Sequence, residues 1–521
     1  MLALALTACA GLPTGANYPR SVSYARDTPR PSTLDASVAL TTARHPGLSG
    51  MRIVSVGVDG FLTRAQIIDS AESTLDLQYY IFREDETGRM LSAALLRAAD
   101  RGVRVRLLVD DGDTRRGDER VLTLDAHTGI EVRVFNPFAY RGHLTAVRAT
   151  EFILRHARLD YRMHNKLLVV DNAVAMVGGR NIGNQYFQMD PESQFADDDV
   201  FAIGPVVAGL ASSFDEFWNS PLAIPAAALV TPSRAEGAAP DVAQRSGPRA
   251  PTLRPLENDG VDYGLALASG EPYAGMLSGR LPLVWAQATV LSDSPDKRQA
   301  RTGVGRVLMP QIMTAANTVE RELLVVSPYF VPRDDELQLF AALRARQVRV
   351  RVLTNSLESA PELLAQGGYG QYRAALLERG VELHEVRTHL SYSRGSGQTS
   401  DMASYGTYAL HAKLYVFDRR RLFIGSMNFD QRSKHLNTEV GLMIESPALA
   451  AQTAERFEAM SEPQNSYVLA LRSHARDGTP QLTWQTREDG KVVEYWREPA
   501  RRGWHRWLMR LLGWLPIESE L

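Results

Sequence analysis

The feature that most constrains this chain is an internal repeat with an offset of close to 250 residues. The alternating segment 103–108 (Val-Arg-Val-Arg-Leu-Leu) reappears as 348–353 (Val-Arg-Val-Arg-Val-Leu), and the strand-like segment 75–82 corresponds to 323–330. In the first copy a helix-forming stretch, 91–100, separates the two strand patterns. Strand, helix and strand at this spacing predict a βαβ unit with parallel strands. Because the offset is nearly constant, we predict two copies of one α/β fold rather than a short-period solenoid.

The composition argues against several classes of protein. The 521 residues carry a formal net charge of −2, whereas general nucleic-acid binders usually show a basic excess. After the N-terminus there is no apolar run of about 18 residues, so the sequence predicts no transmembrane bundle. The single cysteine, Cys9, excludes a disulfide framework and a cysteine-rich metal site.

The strongest signal is a motif of histidine, lysine and aspartate that occurs once in each copy. The spacing, His-x-Lys followed by four residues and Asp, is identical in both halves, and each motif continues into a small-residue turn that carries an asparagine. Successive residues of a strand alternate sides, so the histidine and the lysine face one point and make an anion site with a nucleophile or proton shuttle. The candidate catalytic residues are His164, Lys166 and Asp171 in the first half and His411, Lys413 and Asp418 in the second, supported by Asn181 and Asn428.

An acidic residue also precedes an apolar residue downstream of each motif. A carboxylate that accepts a hydrogen bond from an imidazole fixes its tautomer and stabilises its charged form. We predict that Asp199 supports the first-half histidine and Glu439 the second-half histidine, with Asp197 as an alternative to Asp199. Lysine is a poor metal ligand and the other ligands are missing, so the motif predicts no metal site.

The two motifs, each written HxKxxxxD and followed by G(G/S)xN, resemble the duplicated signature of the phospholipase D superfamily. The resemblance covers about residues 50–470. The stretch 178–183 with Tyr186 and Phe187, and the ending 515–519, are most similar to the bacterial cardiolipin synthase C group. This resemblance implies an α/β fold of two similar lobes, each a mixed, largely parallel β-sheet flanked by helices. The lobes would be related by a pseudo-twofold axis with the active site between them.

The resemblance also implies a phosphatidyl transfer in two steps that needs no cofactor. One histidine attacks the phosphodiester phosphorus to form a phosphohistidine, while the other protonates the leaving alcohol and then deprotonates the acceptor hydroxyl. His164 is assigned as the nucleophile and His411 as the general acid and base. The lysines and asparagines of both motifs would stabilise charge on the non-bridging oxygens. Ser426 stands where the first half has Gly179, which suggests that the two halves bind unlike partners, such as donor and acceptor.

The predicted activity is synthesis of cardiolipin from phosphatidylglycerol and a second phospholipid. The alternative is a phospholipase D hydrolase that releases phosphatidic acid, because water can replace the acceptor alcohol. A nuclease is disfavoured by the net charge, and an inactive scaffold by the two intact motifs. The predicted partners are phospholipids and a membrane surface rather than nucleic acid, and no oligomer is required because one chain holds both motifs.

Both ends of the chain predict contact with a membrane. Residues 6–9 (Leu-Thr-Ala-Cys) resemble a bacterial lipobox, so we predict a lipoprotein of the bacterial cell envelope that is anchored at Cys9; the alternative is a buried or frayed cysteine. At the other end, tryptophans and arginines interleave. They predict either an amphipathic helix on anionic lipid or a helix docked on the protein itself. The residues are Trp496, Arg497, Arg501, Arg502, Trp504, Arg506, Trp507, Arg510 and Trp514.

These observations divide the chain into five parts. Residues 1–49 are predicted to be signal, tether and loop, and 50–222 the first lobe. Residues 223–270, rich in Ala, Pro, Ser and Gly, are predicted to be a linker. The second lobe is predicted at 271–470 and the amphipathic tail at 471–521.

Overall fold

The structure of the chain is a computed structural model. It describes residues 20–27, 32–112, 118–142, 144–190, 192–229, 271–278, 280–297, 305–388, 407–473 and 479–512. Cys9, the adjoining tether and residues 230–270 of the predicted linker lie outside the described residues.

The first half forms a mixed sheet of eight strands among the described residues. The strands of this half are β1 (Ser49–Val54), β2 (Thr74–Tyr79), β3 (Arg104–Asp110), β4 (Ile130–Phe135), β5 (Lys166–Val170), β6 (Val174–Gly178), β7 (Ser193–Ala196), β8 (Asp199–Ile203) and β9 (Ala223–Pro225). The order across the sheet is β9, β4, β3, β2, β5, β6, β8 and β1. The short strand β7 lies outside this sheet.

The second half repeats the same order of strands. Its strands are β10 (Val284–Ser292), β11 (Glu322–Val326), β12 (Arg349–Asn355), β13 (Glu382–Val386), β14 (Thr407–Leu410), β15 (Leu414–Phe417), β16 (Arg421–Gly425), β17 (Val440–Glu445), β18 (Ser466–Ser473), β19 (Pro480–Glu488) and β20 (Lys491–Tyr495). The order is β18, β13, β12, β11, β15, β16, β17 and β10, with β19 and β20 added beyond β18. The predicted pair of similar lobes is therefore confirmed.

One detail of the predicted fold is wrong, because the sheets are not largely parallel. In the first lobe only the pairs β2–β3 and β3–β4 are parallel, and the other neighbours in the sheet are antiparallel. The strand that carries each motif turns back at once instead of entering a crossover helix. At the first turn Asp171 and Asn172 have φ values of 51° and 54°, and at the second Asp418 and Arg419 have 52° and 54°. Asp and Asn tolerate this left-handed backbone better than most residues, which favours a tight hairpin.

Helices cover both faces of the joined sheets. They are α1 (Thr33–Thr42), α2 (Gly57–Asp69), α3 (Glu86–Asp100), α4 (Thr145–Leu154), α5 (His156–Leu159), α6 (Pro205–Trp218), α7 (Glu271–Leu277), α8 (Met309–Asn317), α9 (Asp334–Ala345), α10 (Leu363–Glu378), α11 (Gln431–His435), α12 (Pro447–Ser461) and α13 (Gly503–Leu512). Short 3-10 segments occur at Asp118–Ala126, Asn184–Tyr186 and Ala226–Ala228. In the part of the chain that the structure describes, no helix has the length and apolarity needed to span a bilayer.

The two lobes are joined by backbone pairing and by a shared core. Strand β1 pairs antiparallel with β10 at Ser49–Ala286, and β7 of the first lobe pairs in parallel with β14 of the second. A hydrophobic cluster between the lobes combines Phe214 and Trp218 of α6 with Leu449 and Phe457 of α12. Because this cluster buries side chains of both halves together, separation of the lobes would expose the apolar surface of each.

The structure also changes three of the predicted boundaries. Ala223–Pro225, assigned to the linker, pairs with β4 as strand β9. Residues 20–27, assigned to the tether and loop, pack on the first lobe, where Arg106 donates to the Ser23 carbonyl oxygen and Arg133 to that of Ser21. Part of the predicted tail is the strand pair β19–β20, and among its described residues the helical part is α13.

The motif aspartates lie at the far end of their hairpins from the histidines. The Asp171 carboxylate accepts hydrogen bonds from three successive backbone N–H groups, those of residues 72, 73 and 74, at 2.8–3.0 Å. Asp418 makes the same contacts with residues 320, 321 and 322. The prediction that these two aspartates are catalytic is corrected, because strand β5 or β15 separates each of them from its histidine. Each clamps its hairpin to the start of the neighbouring strand.

Replacing Asp171 with Ala should therefore destabilise the protein without changing the chemistry. Three N–H donors would lose their acceptor, which we expect to cost about 2–3 kcal/mol of unfolding free energy. Urea unfolding followed by tryptophan fluorescence measures this loss. Asp418→Ala is the matched control with a smaller expected loss, because that carboxylate is more exposed. A fall in kcat for folded Asp171→Ala as large as that for a histidine variant would contradict this role.

Candidate active site

The two motifs meet at one end of the molecule, which we call the catalytic end. It carries the carboxyl ends of the parallel strands β2, β3 and β4 and of β11, β12 and β13. Strand β5 runs antiparallel to β2 and begins there with Lys166 opposite Tyr79. Strand β15 has the same relation to β11, so His411 lies at the same end of its lobe. Both histidines are buried, with 7% of His164 and 5% of His411 exposed.

Each histidine is supported by a carboxylate from the other lobe. His164 Nδ1 lies 3.0 Å from Glu439 Oε2, although these residues are 275 positions apart. His411 Nδ1 lies 2.5 Å from Asp197 Oδ2. With Nδ1 engaged by a carboxylate, the favoured tautomer carries its proton on Nδ1 and leaves the lone pair on Nε2 for chemistry.

The predicted pairing of acids with histidines is wrong for both lobes. Glu439 supports the first-half histidine, and Asp197 rather than Asp199 supports the other. Gly178 of β6 lies opposite Asp199, and Gly425 of β16 lies opposite Gly441, so Asp199 corresponds to Gly441. Asp197 therefore corresponds to Glu439. The sequence-based pairing of Asp199 with Glu439 as equivalent residues was therefore wrong by two positions. No feature of the sequence indicates that each acid contacts the histidine of the other lobe.

Asp199 is instead held by two buried arginines. Its Oδ2 lies 3.0 Å from Arg64 Nη1 and 3.0 Å from Arg180 Nη1. Burial opposes ionisation, but the two guanidinium groups outweigh it and lower the pKa of the Asp199 carboxyl below its usual value. Arg180 also donates to the backbone carbonyl of Asp197. The Arg64–Asp199–Arg180 cluster therefore positions the residue that supports His411.

The second supporting acid is held by a different set of contacts. Ser426 Oγ donates to Glu439 Oε2 at 2.5 Å, and the Glu439 N–H donates to Asp293 Oδ2 at 2.8 Å. Asp293 in turn accepts from the buried Lys297 ammonium at 2.9 Å. A Cβ atom at Gly179, the counterpart of Ser426, would overlap Asp197 Oδ1. The Gly-to-Ser difference between the motifs therefore reflects how each acid is held: the Ser426 hydroxyl donates to Glu439, whereas Gly179 leaves room for Asp197.

The charges of the site are balanced between two lysines and two acids. Lys166 and Lys413 are almost fully buried, and each donates to the carbonyl of the histidine two residues before it. Burial lowers the pKa of both lysines, to about 8 for Lys413. Burial raises the pKa of Asp197 to about 6 and that of Glu439 to about 7.

The protonation state of the histidines follows from the same environment. Burial and the two ammonium groups hold the pKa of His164 and of His411 well below its usual value. Without a bound anion both histidines therefore favour the neutral form, in which an imidazole is a nucleophile or a base. The buried Lys166 and Lys413 side chains lie beside them, and in the ammonium form they suit an anionic phosphodiester and the additional charge of its transition state.

The two motif asparagines differ in what they contact. Asn181 Oδ1 accepts from the Ile81 N–H at 3.1 Å, and its Nδ2 donates to the Tyr186 hydroxyl at 2.9 Å. Its amide is thus used within the first lobe. Asn428 is buried, and its Oδ1 has no hydrogen-bond partner among the described residues. Asn428 is the better candidate for a direct contact to substrate.

Two positioning residues were missed by the sequence analysis. Asp110 Oδ2 accepts from the Met163 N–H at 2.8 Å, and Asn355 Oδ1 accepts from the Leu410 N–H at 2.8 Å. Met163 and Leu410 immediately precede the two histidines. Asp110 and Asn355 are the last residues of the two strands that contain the repeated Val-Arg-Val-Arg segment. A polar residue at the carboxyl end of a buried strand in both copies is the sequence feature that indicates their role.

The arrangement of the site defines a duplicated fold of the phospholipase D type, in which two lobes complete one centre. The family model described as "Cardiolipin synthase, PLD-like domain" matches residues 65–218 and 310–461. The chain belongs to this family, and the resemblance stated from the motifs is confirmed. Within the described residues, no group of three or more His, Cys, Asp or Glu side chains could hold a metal ion.

Full-length relatives and a solved structure agree with this membership. The chain is 36% identical to "Cardiolipin synthase C" of Escherichia coli strain K12 over 488 residues, which cover 93% of this chain and 99% of the relative. It is 28% identical to an "Uncharacterized protein" of Helicobacter pylori strain 26695, covering 86% of this chain and 85% of the relative. The crystal structure of phosphatidylserine synthase from Haemophilus influenzae Rd KW20 superposes with a TM-score of 0.51 at 15% identity, covering 83% of this chain and 92% of that one. This last likeness concerns the fold alone.

The corrected pairing predicts different effects for three conservative substitutions. Asp197→Asn and Glu439→Gln replace the two carboxylates with neutral amides, which neither fix the imidazole tautomer nor stabilise its charged form, so kcat should fall on the order of 1,000-fold or more with the fold retained. Asp199→Asn leaves two buried arginines short of charge and should cost roughly 3–5 kcal/mol of unfolding free energy. Steady-state kinetics and urea unfolding separate the two outcomes. A loss of turnover in stably folded Asp199→Asn equal to that in Asp197→Asn would contradict the assignment.

Proposed function

We propose that this chain is a phosphatidyltransferase that makes cardiolipin from phosphatidylglycerol and a second phospholipid through a phosphohistidine. The observation that carries the proposal is the pair of neutral histidines, each supported by a carboxylate of the other lobe, between two buried ammonium groups. The full-length similarity to a protein named cardiolipin synthase C supports the lipid substrates. A phosphodiester is the anion that such a site suits.

In the first step, His164 Nε2 attacks the phosphorus of the phosphatidyl donor. A P–N bond forms while the P–O bond to the leaving alcohol breaks, and the departing oxygen takes its proton from Nε2 of His411 in the imidazolium form, which the bound phosphodiester anion and the Asp197 carboxylate stabilise. The ammonium groups of Lys166 and Lys413 stabilise the charge on the non-bridging oxygens. Asn428 adds an uncharged hydrogen-bond donor through its amide.

In the second step, His411 accepts the proton of an incoming hydroxyl group. The oxygen attacks the phosphorus, the P–N bond breaks, and His164 is released. If the hydroxyl belongs to the glycerol headgroup of phosphatidylglycerol, the product is cardiolipin. If it belongs to water, the product is phosphatidic acid, which is the hydrolase alternative.

A product assay with labelled phosphatidylglycerol tests both the activity and the acceptor. The purified chain should form labelled cardiolipin, with and without added phosphatidylethanolamine, and His164→Asn and His411→Asn should each lower the rate by 1,000-fold or more. Acid-labile label trapped on His411→Asn but absent from His164→Asn would support His164 as the nucleophile. Labelled phosphatidic acid without cardiolipin would reject the transferase in favour of hydrolysis.

We further propose that the chain works at a membrane of the bacterial cell envelope and is a lipoprotein anchored at Cys9. The support is the lipobox-like sequence at residues 6–9 together with the lipid substrates of the proposed reaction. Cells fed labelled palmitate should yield labelled protein, and Cys9→Ala should remove the label. Thr7→Ser is the control, because it changes the same segment and leaves the cysteine. Label that persists in Cys9→Ala would contradict the anchor.

A further inference from the structure

Helix α4 of the first lobe turns uncharged, partly apolar residues to the solvent and its charged residues toward the protein. Seven of its residues and their immediate neighbours are exposed, and none of the seven is charged. They are Leu144, Thr145, Ala146, Ala149, Thr150, Ile153 and Leu154. The three large ones, Leu144, Ile153 and Leu154, are 65%, 73% and 59% exposed. A surface helix normally turns its apolar residues inward, so this pattern indicates a contact with something apolar.

The charged residues of α4 are directed toward the protein and hold the helix in this orientation. The Glu151 carboxylate is buried and accepts from the backbone N–H groups of Ala139 and Tyr140 at 2.8 Å. Arg148 donates to the backbone oxygen of Asp111 and lies over the Phe138 ring, 4.0 Å from its centroid. These contacts follow the carboxyl ends of β3 and β4. The exposed face of α4 is therefore fixed at the catalytic end.

In the second lobe, helix α13 presents its tryptophans at the same end. The chain that leads into it is pinned where Arg501 Nε donates to the Glu358 backbone oxygen at 2.7 Å. Glu358 lies three residues beyond the carboxyl end of β12, so this contact is at the catalytic end. Helix α13 packs against α10 and still leaves 52% of Trp504 and 67% of Trp507 exposed. Both predicted roles of the tail thus have support, because the helix is docked on the protein and yet exposes its tryptophans.

Exposed arginines accompany these tryptophans. Arg501 and Arg502 precede α13 and are exposed, so positive charge lies beside the indole rings. Tryptophan favours the interface between headgroups and acyl chains, and arginine favours anionic headgroups. The exposed arginines and tryptophans at α13 therefore fit the anionic headgroups and the acyl chains of a bilayer better than they fit the surface of a second protein.

The first described residues of the chain also reach this end of the first lobe. Arg20 donates to the backbone oxygens of Ser220 and Ala223, which follow α6 and begin β9 at the catalytic end. Five residues later, the Ala25 oxygen accepts from Asn172 in the turn at the opposite end of β5. Arg20, the first described residue, therefore lies at the catalytic end. The eleven steps from Cys9 to Arg20 reach about 40 Å at most when extended.

We propose that the catalytic end is the face that docks on an anionic phospholipid bilayer, with α4 and α13 inserting their apolar side chains on either side of the active site. The proposal rests on the function proposed above, since lipid substrates give the docking its use. In this orientation a phospholipid reaches the histidines from the bilayer without crossing water. The lipid tether proposed at Cys9 would hold the same end toward the membrane.

Vesicle sedimentation with the full-length Cys9→Ala chain tests the docking face without an acyl anchor. Ile153→Glu/Leu154→Glu and Trp504→Glu/Trp507→Glu should each weaken binding to phosphatidylglycerol vesicles by at least about tenfold. Leu40→Glu is the matched control. Leu40 is 74% exposed on α1, whose last residue, Thr42, lines one surface depression with Gly204, just beyond the end of β8 that is opposite to the active site. Wild-type binding by both double variants, or an equal loss in Leu40→Glu, would overturn the proposal.

A probe at single cysteines reports which face meets the lipid. Because Cys9 is the only cysteine, Ala149→Cys and Leu40→Cys in the Cys9→Ala chain each accept one environment-sensitive fluorophore. Vesicles should shift the emission of the probe at 149 to the blue and leave that at 40 unchanged. A shift at 149 that depends on protein concentration without vesicles would indicate a second copy on α4 and would reject the bilayer.

Turnover in detergent mixed micelles separates this proposal from the proposed function. The α4 double variant should lose vesicle binding and keep the wild-type rate in micelles, where substrate no longer has to be drawn from a bilayer. If no variant or wild-type chain turns over in micelles, the proposed function fails while the vesicle result stands. If the α4 variant loses micelle turnover and keeps vesicle binding, the docking proposal fails instead.

Discussion

The structure depends on one arrangement: each lobe supplies the carboxylate that contacts the histidine of the other lobe. His164 is oriented by Glu439 and His411 by Asp197, so each lobe holds a nucleophile or proton carrier that only the other lobe can support. These groups are buried beside two lysines, where a charge without its partner would be costly. The β1–β10 pairing, the β7–β14 pairing and the core shared by α6 and α12 serve this constraint, since they fix one lobe relative to the other.

The same arrangement explains why the duplicated halves are no longer identical. The shorter Asp197 lies against Gly179, where a Cβ atom has no room, and Arg180 grips its backbone. Glu439 reaches further and is held by the Ser426 hydroxyl and, through its N–H, by Asp293. Each change of side chain is matched by a change in the residue that supports it. The two halves therefore differ in the residues that hold the supporting acids, and not in the histidines themselves.

The direction of the strands also places the active site and the exposed apolar side chains of α4 and α13 at one end of the molecule. Histidines, lysines and positioning residues lie at the carboxyl ends of the parallel strands, because the motif strands run antiparallel to them and begin there. The loops that follow β3 and β4 carry α4, and the contact of Arg501 beyond β12 places the start of α13. One topological property therefore orients both the chemistry and the apolar helices.

The sequence by itself determined the duplication, the histidines and lysines of the site, and the family. These depend on local geometry: the alternation of a strand places His and Lys on one face, and the nearly constant offset of the repeat identifies two copies. It did not determine the partners of the histidines. A shift of two residues leaves the alternation of a strand unchanged, so the pattern that predicted Asp199 also allowed Asp197. The contact of Asp197 with His411 and the pairing of β6 with β8 decided between them. The crossing of the acids between lobes, and the clamping role of Asp171 and Asp418, were decided by contacts between residues about 100 to 275 positions apart, which no local pattern encodes.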